Sequence, residues 1–190
     1  MSAMPVSLPE SALRLPLVSN DDSAVDLHGP IEALFEELHD RLLRYVLCLG
    51  LSPQDGEEII QETFLALFVH LRKGRSRENL RGWTFRVTHN LGLKRRASNR
   101  RKGELPYEGL FAELRADPNP SPEERYAGSQ RASRLRAVVR ALSAQDQCCL
   151  HLRAEGLRYR EIAATVGISL GSVAASLERA FERLNRVDER

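Results

Sequence analysis

The sequence is poor in the features that mark many enzymes and membrane proteins. Its three cysteines, Cys48, Cys148 and Cys149, lack CxxC spacing. Two adjacent thiols cannot easily share a metal or bridge each other, so reduced cysteines in a core are expected, and no metal site. No segment approaches the ~20 apolar residues of a membrane helix. The first arginine is Arg14 and the apolar run Leu15 to Val18 is short, so no basic leader precedes an apolar stretch. These absences predict a cytoplasmic chain without membrane insertion. Neither a phosphate loop nor a nucleophile–base pair occurs, so no enzymatic activity and no cofactor are expected. Aromatic residues make up only 6% and β-branched runs are missing, which disfavours sheets. The net charge of +2, from 28 basic and 26 acidic residues, does not by itself mark a nucleic-acid binder.

What is present favours helices. Leu, Ala, Arg and Glu dominate, and an apolar fraction of 42% over 190 residues suffices for buried cores. The expected fold is all-α, with two small helical domains joined by a proline-rich linker. Residues 1–27 read as a mobile arm, interrupted by Pro5, Pro9 and Pro16. Residues 28–104 form the first domain. Its first helix carries Leu34, Phe35, Leu38, Leu42, Tyr45, Val46 and Leu49 at three- and four-residue steps up to Gly50. Ser52-Pro53 is a start signal for a second helix reaching about Lys73. A third begins near Glu78. The run Asp117-Pro118-Asn119-Pro120-Ser121-Pro122 cannot hold a helix and marks a linker at 105–130. Residues 131–190 form the second domain, with breaks at Ser143, Gly156 and Gly167.

Three motifs carry chemistry. On the second helix Ile59, Ile60, Phe64, Leu67 and Leu71 make one apolar stripe, leaving Glu58, Gln61, Glu62 and Leu65 on the opposite side. A leucine rimmed by carboxylates and an amide suggests a docking patch, though single exposed leucines are common. On the third helix Leu80, Trp83, Thr84, Val87 and Leu91 predict the buried stripe, with Arg86, His89, Asn90 and Leu93 on another face. The helix runs into a block in which six of the nine residues from Lys94 to Lys102 are basic. Cations, an amide and an imidazole together can grip a strand and read exposed base edges. Finally, Ala163, Gly167, Ile168 and Val173 have the spacing of a helix-turn-helix. On its second helix Leu170, Val173, Leu177, Ala180, Phe181 and Leu184 are expected inward, and Ser172, Ser176, Arg179 and Arg183 outward toward a major groove.

In this order and spacing the motifs resemble the extracytoplasmic-function sigma factors, small relatives of the main bacterial sigma factor. The resemblance covers about residues 29–102 and 131–187. It implies that Glu58, Gln61, Glu62 and Leu65 dock on the clamp helices of the largest subunit of core RNA polymerase. Arg81, Arg86, His89, Asn90, Lys94, Arg95 and Arg96 would contact the minus-10 promoter element and capture a base of its non-template strand. Tyr159, Arg160, Ser172, Ser176, Arg179 and Arg183 would read the minus-35 element as duplex, and there is room for an anti-sigma protein as a further partner. The sequence departs from the family on the recognition helix, where Ala174, Ala175, Ser176 and Glu178 replace the usual basic residues; weak minus-35 binding is expected. Without the resemblance, the second domain alone also fits an ordinary helix-turn-helix regulator, and its acidic recognition helix a protein-interaction scaffold.

Overall fold

The computed structural model describes residues 27–106 and 132–188. The arm expected at 1–27, apart from Leu27, and the linker core lie outside the described residues. Helix α1 runs His28–Cys48, α2 Pro53–Arg72 and α3 Leu80–Arg101. After the gap come α4 over 132–140, α5 Ala144–Ala154, α6 Tyr159–Val166 and α7 Leu170–Asp188. Among the described residues all regular structure is helical, and no helix is long and apolar enough to cross a membrane.

Local chemistry sets the helix ends. Ser52 Oγ accepts from the Asp55 backbone N–H at 3.1 Å, with Pro53 at the first helical position, where a missing N–H costs nothing. Ser143 caps α5 in the same way, accepting from Asp146 at 3.1 Å. The third helix starts two residues later than its sequence pattern predicts, because Asn79 adopts a left-handed conformation (φ 51°) and its side chain accepts from Gly82 at 3.1 Å. Glycine at position 82 leaves room for this cap: a Cβ there would stand 2.5 Å from the Asn79 side chain and displace it.

Helices α1, α2 and α3 pack on one another around Leu38, Leu42, Tyr45, Val46, Ile59, Ile60, Leu67 and Phe85, and each such burial contributes roughly 1.5–3 kcal/mol. Gly92 lets α3 approach the end of α1, since a Cβ there would lie 2.7 Å from Leu49 Cδ1. The buried face of α3 differs from the predicted stripe. Gly82, Thr84, Phe85, Thr88, His89 and Gly92 are buried, whereas Trp83 and Leu91 are only partly so. Helix α6 packs on α3 from outside the three-helix unit, so α3 is covered on two sides and its inward arc widens. The polar residues in that arc are partnered: Thr88 with Thr63 at 3.2 Å, and His89 Nδ1 with the Tyr45 hydroxyl at 2.7 Å.

The second domain folds α6 and α7 against α5. Its core of Cys149, Leu152, Leu157, Ile162, Val173 and Leu177 runs without a break into that of the first domain. At the junction the ring of Tyr45 lies 5.4 Å from that of His151. The three cysteines are free thiols, and Cys148 and Cys149 are buried, as expected of core residues.

Burial lowers the pKa of His89 below its ordinary value, and burial with the nearby Arg44 cation lowers that of His151 from 6.5 to about 4. Both imidazoles are therefore packed neutral, and the packing favours the state that binds fewer protons. Their contribution is complete above pH 6.5 and is lost as pH falls from 6.5 toward 4. Asp55 and Asp146, whose carboxyls are held below 3.8, act only at lower pH. Thermal denaturation between pH 7 and 4 is expected to show Tm falling through the histidine window, and His151→Phe to flatten much of that fall.

Candidate functional site

Helix α2 keeps one face inside and offers the other to solvent. Ile59, Ile60, Phe64, Leu67 and Leu71 are buried, while Glu58, Gln61 and Glu62 are exposed and Leu65 is 64% exposed. Leu65 is thus an apolar side chain left open, beside exposed carboxylates and an amide, on a helix well packed elsewhere. Glu58 is tied by Arg95 of α3 at 2.7 Å. Arg95 also holds Asp55 at 2.5 Å, and Asn99 donates to the other Asp55 oxygen at 2.9 Å. These contacts cross-link α2 and α3, and the carboxylates raise the Arg95 pKa above its ordinary range.

On α3 the predicted strand-reading residues separate into two groups. Arg86, Asn90 and Lys94 stand at i, i+4 and i+8 and are exposed, forming one row of donors beside exposed Leu93. Arg100 and Arg101 extend the positive charge at the end of the helix. The remaining predicted contacts are engaged inside the protein. His89 is buried against Tyr45, which corrects its placement on an open face; the misplacement follows from the rotated arc of α3. Arg95 is the cross-link to α2, and Arg96 is half-buried with a guanidinium N–H 3.5 Å from the carbonyl of Leu49. Arg81 donates to the backbone carbonyl of Glu155 in the second domain.

The helix-turn-helix is formed by α6 and α7. Gly167 takes the left-handed conformation (φ 76°) that ends α6, and its N–H bonds to Ala163 O at 2.9 Å. Ser169 caps α7, accepting from Ser172 at 3.1 Å. Tyr159 and Arg160 are exposed and Ser172 is half-exposed, as the sequence pattern predicts. One outward assignment needs correction: Ser176 is fully buried, and its Oγ accepts from Gln145 at 3.0 Å, because the start of α5 lies over this side of α7. Arg179 and Arg183 are exposed as expected, each with a contact to the protein: Arg179 pairs with buried Asp146 at 2.6 Å, and Arg183 donates to Ala141 O at 2.9 Å. Phe181, expected inward, is 42% exposed. The open surface of α6 and α7 includes Arg158, Tyr159 and Arg160 with Ser169, Leu170, Gly171, Ala174, Glu178, Arg179 and Arg183.

Sequence patterns gave no sign of Glu155, a buried acid in the turn after α5 that pairs with Arg41 of α1 at 2.9 Å. Nor did they reveal Asp146 as the partner of Arg179. Each follows an ordinary helix signal, a C-terminal turn or an N-terminal acid, and the partner comes from a distant segment. Among the described residues no cluster of His, Cys, Asp and Glu is arranged to hold a metal.

Comparison with known proteins agrees with this layout. Residues 34–102 match Sigma-70 region 2 and residues 132–184 match Sigma-70 region 4. The chain is 32% identical over 156 residues to the ECF RNA polymerase sigma factor SigE of Mycolicibacterium smegmatis, covering 80% of this chain and 59% of that one. It is 27% identical to the ECF RNA polymerase sigma factor RpoE of Cereibacter sphaeroides, covering 80% and 83%. Two solved structures share the fold. Sigma factor RpoE in complex with the anti-sigma factor NepR, from Bartonella quintana, gives a TM-score of 0.61 at 17% identity, covering 84% of this chain and 97% of that one. CnrH in complex with the cytosolic domain of CnrY gives 0.55 at 19% identity, covering 85% and 89%. With both regions matched in the order in which the two helical domains follow one another, the chain belongs to the extracytoplasmic-function class of sigma factors.

Proposed function

We propose that this chain binds core RNA polymerase through the outer face of α2 and directs it to promoters, opening and holding the minus-10 element with α3 and meeting the minus-35 duplex with α6 and α7. It acts in the cytoplasm as a specificity subunit and does no catalysis of its own. The observation that carries this reading is the pairing of two surfaces on successive helices. Leu65 stands open among Glu58, Gln61 and Glu62, and the row Arg86, Asn90 and Lys94 stands open on the helix cross-linked to it. An ordinary helix-turn-helix regulator has no use for the first surface, and a protein scaffold none for the second. An anti-sigma protein is a further partner in this reading, since both solved relatives are complexes and the one with NepR is described as holding an anti-sigma factor.

Strand contact is assigned to Arg86, Asn90 and Lys94, with Arg96, Arg100 and Arg101 supplying charge toward the backbone. Minus-35 contact is assigned to Tyr159, Arg160 and Ser172. With Ser176 buried, the exposed Arg179 and Arg183 already engaged by Asp146 and the Ala141 carbonyl, and Glu178 exposed beside them, the recognition helix brings little free positive charge to phosphate, and weak duplex binding follows.

Purified chain added to sigma-free core polymerase is expected to support initiation from a cognate promoter. Leu65→Ala and Glu62→Lys should each weaken core binding by about tenfold, the size of loss typical of a docking anchor; full binding by both variants would remove α2 as the docking face. Lys94→Ala is expected to leave core binding intact and to lower the salt slope of binding to minus-10 single strand by about 0.7, one phosphate contact. Arg179→Ala should lower Tm by stranding buried Asp146, while duplex affinity changes by less than about twofold. A large loss of affinity at unchanged Tm would return Arg179 to the DNA surface.

A further inference from the structure

A cleft of about 620 Å³ opens beyond the end of α2, where the start of α3 meets α6. Its volume is of the size that encloses a small organic molecule. Arg75, from the segment between α2 and α3, Arg86 of α3 and Arg160 of α6 bring three guanidinium groups to it. All three side chains are exposed, and none has an ion-pair partner among the described residues. Arg75 belongs to neither of the DNA-facing surfaces described above. Cations left unpaired around a concavity suit phosphate, to which a guanidinium can donate two parallel hydrogen bonds.

The other lining groups decide what else the occupant carries. Of the two carboxylates, that of Glu161 is committed to the start of α6, where it accepts the Arg158 backbone N–H at 2.6 Å. Glu78 is exposed and has no such partner among the described residues, so its carboxylate is a free acceptor. The rings of Trp83 and His70, 4.8 Å apart, supply an aromatic wall, and His70 Nε2 is fixed 3.0 Å from the Ser76 carbonyl. On the α6 side Thr165 is 3% exposed and its hydroxyl has no hydrogen-bond partner. A buried hydroxyl left alone is costly, and a polar occupant would complete it.

We infer that this cleft binds a nucleoside polyphosphate whose base carries an exocyclic amine. The three arginines take the phosphates, the aromatic wall takes the base, and Glu78 accepts from the amine. A bare oligophosphate leaves Trp83 and Glu78 without a role, and an uncharged nucleoside leaves three cations unmatched. The consequence of binding rests on the reading of α3 as the strand reader: phosphate on Arg86 takes the first residue of its row, so nucleotide and promoter strand exclude each other.

The test is titration of the full chain with ATP, followed by the emission of Trp83, the only tryptophan, and by equilibrium dialysis. A single site is expected, which UTP, lacking the amine, and inorganic tripolyphosphate fill about tenfold more weakly. Arg75→Gln and Arg160→Gln change exposed side chains, so helicity should persist while ATP affinity falls about tenfold in each. No binding by either readout at about 1 mM ATP overturns the site. Tripolyphosphate or UTP binding as tightly as ATP overturns the assignment of the base, and affinity indifferent to Arg160→Gln overturns the part given to α6. Displacement of minus-10 single strand by ATP supports the exclusion. If ATP binds as described and the strand stays bound beside it, the nucleotide site stands and the assignment of the α3 row as strand reader falls.

Discussion

Tyr45 sits where every packed layer of this protein meets. It is fully buried on α1, with its ring edge-on to Phe85 at 5.8 Å, its hydroxyl 2.7 Å from His89 Nδ1, and the ring of His151 5.4 Å away in the second domain. A buried phenol needs a partner for its hydroxyl, and His89 supplies one on α3. With Phe85 and Thr88 on the same arc, that bond turns one face of α3 inward. The same rotation leaves Arg86, Asn90 and Lys94 outward together.

The Asp55–Arg95–Glu58 cross-link performs a similar task at the other end of α3. It joins the start of α2 to the basic stretch, so the outer face of α2 and the exposed row on α3 are held in a fixed relation. Arg95 is about one-third exposed, and such an ion pair contributes modestly to stability. Its value lies in geometry: two carboxylates on successive turns receive one guanidinium from two sides, which specifies register as well as charge.

Much of this was legible in the sequence. Ser52-Pro53 announced a helix start through capping chemistry that depends on neighbours within three residues, and Ser143 announced a break. Gly167 announced the turn because few other residues accept its backbone angles. The outer face of α2 was legible because that helix has a single buried side. Helix α3 misled because it has two, and Leu80, Trp83, Val87 and Leu91 record only one of them. Ser176 misled for the same reason: helical periodicity gives the direction of a side chain but not whether a second segment lies there. Glu155 was invisible, since its arginine partners, Arg41 and Arg81, come from distant stretches of the sequence.

The glycines of α3 have a consequence for binding thermodynamics. With Gly82 making room for the Asn79 cap and Gly92 pressed against Leu49, the helix is well ended and seated by close approach as well as by side-chain burial. In the proposed function, capture of an unstacked base by this helix would cost the protein only the rotamer freedom of a few exposed side chains, on the order of 0.5–1.5 kcal/mol each. Most of the ordering falls on the flexible nucleic-acid strand, whose entropy depends on base sequence through stacking. Discrimination between promoters can therefore arise from how readily a strand unstacks as well as from the groups that touch its bases.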